Sequence, residues 1–176
     1  HHLRFIKEVD SRDTKSAVAL RREYEFLRVL QHPNIVRCHQ AFEQGGNIYL
    51  VMDFVEGASL EDLSSRADYV PPAEEQLLRW ADVLCNVLAY LHSCSTPIIY
   101  RDLKPGNVIL NSQGQLRLID FGIARTYKAG SQKDTEALGT VMTASPEHFY
   151  GQTNIKSDLY CLGATIYLMA APDYRP

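Results

Sequence analysis

Tyr100-Arg101-Asp102-Leu103-Lys104-Pro105-Gly106-Asn107, followed downstream by Asp120-Phe121-Gly122, is the stretch that decides how this chain is read. It sets a carboxylate, an ammonium and an amide in one short loop and a second carboxylate in the next. Asp102 can accept or orient the proton of a hydroxyl. Lys104, two residues on, can project the same way from an extended loop. Asn107 and Asp120 offer hard oxygen donors of the kind Mg²⁺ prefers. A lone Asp-x-Lys is ordinarily a solvated surface pair, so the reading depends on what surrounds it.

On either side the chain changes character. Residues 3–9 read as a strand, 10–16 as a polar loop, and Ala17 to Leu30 as a helix with an apolar stripe of Val18, Phe26, Leu27, Val29 and Leu30. His32-Pro33-Asn34 stops that helix. Two strands follow, Ile35 to Phe42 and Asn47 to Phe54, with hairpin-turn chemistry at Gln44-Gly45-Gly46-Asn47. Gly57 marks a break. Ser59 caps a short helical turn from Leu60, with Asp62 placed to return the bond. Pro71 and Pro72 open the longest helix, Ala73 to Ser93, with Glu74 and Glu75 in its first turn. Its stripe is Leu77, Trp80, Ala81, Leu84, Val87, Leu88 and Leu91. Short strands are expected at Val108–Leu110 and Leu116–Leu118, a long loop over 123–146, and a last helix from Ser157 to Met169. The pattern is α+β, strand-rich before a boundary at Val55–Ser59 and helix-rich after it.

The 176 residues are 45% apolar and 22% charged, enough to bury a core and fitting one domain or one divided into two small lobes. The net charge of −3 lacks the basic surplus of a nucleic-acid binder. No run of apolar residues reaches membrane-span length, and no signal peptide is read at the start. His1 and His2 read as a tag remnant. Cys38, Cys85, Cys94 and Cys161 form no metal-site or disulfide pattern and read as reduced thiols. A cytoplasmic protein, or the cytoplasmic part of a larger one, is expected.

The quoted stretch resembles the catalytic loop and metal-binding triplet of protein kinases. Other segments match that family in order. Phe5-Ile6-Lys7 is similar to its Lys-bearing strand and Glu23 to its helical Glu. Gly139-Thr140 and Ser145-Pro146-Glu147 resemble the end of its activation segment, and Ser157-Asp158-Leu159-Tyr160-Cys161-Leu162-Gly163 the start of its central helix. The resemblance implies a bilobal fold. Residues 1–55 would be the remnant of a small lobe without its Gly-rich loop, and 56–176 a helical lobe through its central helix, so 1–176 is a partial kinase domain.

It also implies ATP and Mg²⁺ as cofactors and Ser/Thr hydroxyls of proteins as acceptors. Asp102, Lys104 and Thr140 would be catalytic. Lys7, Glu23, Met52, Asp53, Val55 and Ile109 would bind ATP, with Met52 as gatekeeper and Asp53-Phe54-Val55 as hinge. Asn107 and Asp120 would hold the metal. Leu27, Cys38, Tyr100 and Phe121 would stack as an apolar spine. Asp158 would hold the catalytic loop, and Glu147 would pair with an Arg much later in the domain. Arg101 would receive a phosphate on Thr135, with Glu136 as a weaker partner. Glu25 is the competitor of Glu23 and is expected in solvent. Lys104-Pro105 favours serine/threonine over tyrosine specificity, and residues 134–140 and 157–165 resemble bacterial members.

Phe5 stands where the family has a small residue, on the Lys7 face of its strand, and would crowd adenine. Thr143 replaces a usual Tyr. A degenerate kinase used as a binding module is therefore the alternative to the enzyme, and a small-molecule phosphotransferase the more distant one.

Overall fold

Alternation puts one face of the first strand, β1 (Arg4–Asp10), toward helix α1 (Thr14–Leu27). The computed structural model describes residues 3–127 and 140–171. Helix α1 lies three residues earlier than its apolar residues predict. The Asp13 carboxylate caps the Ser16 N–H at 3.3 Å and starts it. At the other end Val29 and Leu30 both donate to the Phe26 carbonyl, which closes the last turn. The buried face is Ala17, Leu20, Glu23 and Leu27. Val18 and Val29, expected in the stripe, are 49% and 59% exposed. A carboxylate occupies the middle of the packed face, so a purely apolar count selects the wrong side.

Strands β2 (Cys38–Gln44) and β3 (Asn47–Asp53) form the expected hairpin. Gly45 and Gly46 have φ of 60° and 83°, the positive pair that a tight hairpin turn of this hand requires. The sheet order is β1-β3-β2, all antiparallel. β3 is central, which is why Ile48 to Met52 is mostly apolar and buried. The expected strand start at Ile35 is corrected to Cys38. Ile35 instead bridges Leu118, and Val36 donates to the Leu118 carbonyl at 3.0 Å.

The break expected at Gly57 is a strand, β4 (Gly57–Ser59), leading into helix α2 (Leu60–Ser64). Ser59 and Asp62 make the reciprocal cap, at 3.0 and 3.2 Å. Helix α3 (Glu74–His92) buries Trp80, Leu84, Val87, Leu88 and Leu91. Strand β5 (Ile98–Ile99) precedes the Asp102 loop, and β6 (Val108–Asn111) with β7 (Leu116–Leu118) completes a sheet of order β4-β6-β7. Part of the expected long loop is strand β8 (Arg125–Thr126), paired with β5. Helix α4 (Ile155–Ala170) packs on α3. It begins before Ser157 because the Asn154 side chain caps Lys156 while Ser157 Oγ accepts the Asn154 N–H. One cluster of buried side chains runs from α1 and β3 through α3 to Cys161 and Met169 of α4.

Gly57 sits against the β6 backbone. A Cβ there would overlap the Leu110 carbonyl oxygen and stand 2.8 Å from Asn111 Cα. Gly57→Ala is expected to cost about 1–3 kcal/mol, since backbone cannot yield as a flexible side chain does. Thermal unfolding checks it: an unchanged midpoint would show that β4 shifts freely.

Candidate active site

Two polar clusters lie beside one another, their loops joined where the Ile119 N–H donates to the Asn107 carbonyl at 3.0 Å. The first is built on the loop after β5. Asp158 of α4 is fully buried and accepts the N–H groups of Tyr100 at 2.9 Å and Arg101 at 2.8 Å, with His92 Nε2 also at 2.8 Å. Arg101 is held at φ 70°, which turns the following residue outward. Asp102 Oδ2 is 2.9 Å from Asn107 Nδ2 and 3.0 Å from Lys104 Nζ. Its other oxygen is 3.1 Å from the Thr140 hydroxyl, to which Lys104 Nζ donates at 2.9 Å. Asn107 also donates to the Asp102 carbonyl, closing the short 3-10 helix Pro105–Asn107 against the carboxylate.

The second cluster joins β1, α1 and the Asp120 loop. Lys7 Nζ is 2.8 Å from Glu23 Oε2 and 3.2 Å from Asp120 Oδ2. Glu23 Oε1 accepts the Phe121 N–H at 3.2 Å, and Asp120 Oδ1 the Gly122 N–H at 3.0 Å. Asp120 has φ 60°, the second left-handed non-glycine residue among those described. Burial works against the charge on Lys7, but Glu23 and Asp120 outweigh it and hold its pKa above the usual lysine value. Burial pushes the Glu23 carboxyl up; Lys7 opposes that and Asp120 adds to it. Glu25 points elsewhere and pairs with Arg28 at 2.9 Å.

The second cluster opens on a cleft of about 570 Å³, which the Asp102 loop borders through Gly106. Of the residues expected to bind ATP, Lys7, Glu23, Met52, Asp53, Val55 and Ile109 all line it, as do Asp120 and Phe5. Asp53 is more engaged than its hinge position predicts. Its N–H bonds the Arg37 carbonyl at 2.9 Å, and its carboxylate meets Arg4 at 2.8 Å and His39 at 2.6 Å. Val36, Ser59, Glu61, Gly106 and Ile119 line the cleft without having been singled out for it. Glu61 packs directly over Gly106, where a Cβ would strike its carboxylate. No motif spacing signals Ser59 and Glu61, because the β4 and α2 turn brings them in, whereas Gly106 and Ile119 lie within or beside the motifs themselves.

Leu27, Tyr100 and Phe121 are buried, and the Tyr100 and Phe121 rings meet edge to face at 4.9 Å. Cys38 is half-buried, and burial pushes its thiol up to about 11, so it behaves as a small apolar group. Arg101 is 3% exposed and its Nε donates to the Ile123 carbonyl at 2.7 Å. Glu147 accepts from the Ser157 hydroxyl at 2.6 Å. Thr143 is buried, its hydroxyl 3.5 Å from the Thr140 carbonyl. Thr135, Glu136 and Gly139 lie outside the described residues.

A small sheet and a helical region meet at a cleft lined by Lys7, Glu23 and Asp120 and bordered by the Asp102 loop through Gly106, the arrangement expected of a protein kinase. The protein kinase domain profile matches residues 3–174, and the chain belongs to that family. Serine/threonine-protein kinase Nek1 of Mus musculus is 35% identical over 148 residues, 84% of this chain and 12% of that protein. Serine/threonine-protein kinase 36 of Pongo abelii is 35% identical over 172 residues, 96% and 12% respectively. Mitogen-activated protein kinase kinase 7 of Arabidopsis thaliana is 33% identical over 143 residues, 80% and 44%. The chain thus spans less than half the length of these curated relatives. They come from animals and a plant, and the bacterial affinity is a reading of the sequence only.

Lys7→Met leaves Glu23 buried without its cation. A carboxyl whose folded pKa lies above its unfolded value loses stability as pH rises through that range. The stability gap between Lys7→Met and the native protein is therefore expected to widen from about pH 5 to about pH 8. Denaturant titrations across that range check this; a constant gap would show that the pair contributes no charge–charge attraction.

Proposed function

We propose that this chain transfers the γ-phosphoryl group of ATP to serine and threonine hydroxyls of proteins. The observation that carries the reading is the adjacency of the Asp102–Lys104–Thr140–Asn107 and Lys7–Glu23–Asp120 clusters, whose loops are joined by the Ile119 N–H donating to the Asn107 carbonyl at 3.0 Å. Apolar side chains of Val36, Met52, Val55 and Ile109 offer a slot for a flat base. Lys7, oriented by Glu23, would hold the α- and β-phosphates. Asp102 accepts the proton of the attacking hydroxyl, and Lys104, anchored on Thr140, neutralises charge on the transferred group. The acceptor class is supported by Lys104-Pro105 and by the serine/threonine kinases among the relatives.

The donor set fits Mg²⁺. Asn107 gives its amide hydrogens to Asp102, which leaves the amide oxygen as the ligand atom, and Asp120 supplies a carboxylate. Among the described residues no three His, Cys, Asp or Glu converge to cage an ion unaided. Asn107 and Asp120 would thus hold Mg²⁺ together with phosphate oxygens and water. The ion would supply charge neutralisation on the phosphates. In the same reading Arg101 is the guanidinium that would receive a phosphate on Thr135. Residues 1–55 and 56–176 act as the two lobes around the cleft. No helix among the described residues is long and apolar enough to cross a membrane, and we read the chain as cytoplasmic.

Asp102→Asn keeps the size and removes the charge. In the full-length protein it is expected to lower kcat by roughly 10²–10⁴-fold with ATP affinity unchanged. Near-native turnover would remove Asp102 from the mechanism.

Phe5 is half exposed and lines the cleft opposite Met52 across the strand pair. Calorimetry of Mg-ATP binding is expected to show tighter binding by Phe5→Ala. Equal or weaker binding would show that the ring stands clear of adenine.

A further inference from the structure

Arg101 is gripped at both of its backbone polar groups, its N–H by Asp158 and its carbonyl by His148, and the second grip lies outside the chemistry so far described. Arg101 is in the left-handed region, which persists in a residue with a Cβ only where its surroundings over-determine it. Asp158 fixes its N–H. Its carbonyl oxygen lies 3.1 Å from Nε2 of His148. His148 is 2% exposed and sits in the short 3-10 helix Pro146–Tyr150, a segment separate from α4.

The partners decide the tautomer. The Ser145 N–H points at His148 Nδ1 from 3.1 Å, and an amide N–H only donates, so Nδ1 is the bare nitrogen. The Ser145 hydroxyl is 2.7 Å from the same atom. In the neutral ring the proton therefore sits on Nε2, facing a carbonyl that only accepts. The ring takes a bond from its own turn behind and gives one to the Asp102 loop in front.

We propose that His148 is a positioning residue for phosphoryl transfer: its Nε2–H, bonded to the Arg101 carbonyl, fixes the peptide plane from which Asp102 projects. The inference rests on the role of Asp102 given above. The Arg101 carbonyl and the Asp102 N–H lie in one rigid plane, so loss of the donor lets that plane tilt and carries the carboxylate with it. A tilt moves Asp102 against both Lys104 and Asn107, which its Oδ2 meets at 3.0 and 2.9 Å.

The competing explanation is a buried histidine that serves only its own turn. Two variants of the full-length protein separate them. His148→Asn sets an amide oxygen where Nδ1 lies, keeping the acceptor for Ser145 without reaching Arg101. His148→Gln sets an amide nitrogen near Nε2, keeping the donor to Arg101 without the acceptor for Ser145. Steady-state kinetics with Mg-ATP and dephosphorylated casein, thermal unfolding, and amide hydrogen exchange over residues 100–104 are measured for both.

His148→Asn is expected to lower kcat by about 10- to 100-fold, with KM for ATP within about twofold and faster exchange in that segment. His148→Gln is expected to keep kcat within about threefold even where its unfolding midpoint falls. Native turnover in His148→Asn, or equal loss in both variants, overturns the proposal. A native protein without turnover overturns the phosphoryl-transfer reading instead. Exchange then decides the clamp alone: acceleration in His148→Asn only upholds it, and equal exchange in all three proteins overturns it.

Discussion

The carboxylate of Asp158 holds the active site in shape. A buried carboxylate is costly unless donors replace its water. Here two backbone N–H groups and the His92 ring do so at 2.8–2.9 Å. In exchange Tyr100 and Arg101 are fixed to helix α4, and the left-handed turn at Arg101 becomes tolerable. The direction of Asp102, the reach of Lys104 and the closure of Asn107 onto the carboxylate all follow from that turn.

Glu23 repeats the device on the other side of the cleft. It too is a buried carboxylate, set in an otherwise apolar helix face, with one oxygen on Lys7 and the other on the Phe121 N–H. It ties β1, α1 and the Asp120 loop together. The two anchored loops carry Arg101 and Asp120, the two left-handed non-glycine residues among those described. Among the described residues, strain of this kind falls where the Asp102 and Asp120 carboxylates are aimed, and a buried hydrogen-bond acceptor lies beside each.

The apolar framework supplies the distance between the clusters. β3 gives the cleft Met52 and Asp53, while β6 gives Ile109, and the Val36–Leu118 bond ties the two sheets together. Burial of Tyr100 against Phe121 couples the Asp102 loop to the Asp120 loop through their adjacent residues. The cleft and the two clusters are therefore parts of one packing arrangement.

Much of this was legible in the chain itself. Hairpin glycines, the Ser59–Asp62 cap and the stripe of α3 are local, set by neighbours a few residues apart, and the short motifs around Asp102 and Asp120 are local too. The sequence order of those motifs also identified the family. The rest was decided by packing. The buried face of α1 was misread because Glu23 breaks its apolar pattern, and only contact with Lys7 and Phe121 accounts for a carboxylate there. Gly57 reads as a break until β6 pairs with it. Glu61 and Ser59 reach the cleft only because α2 packs on the Pro105–Asn107 turn. His148 carries no motif at all. Its meaning lies in a hydrogen bond to Arg101, far away in the chain, and hydrogen bonds of that kind form only once tertiary structure has brought donor and acceptor together.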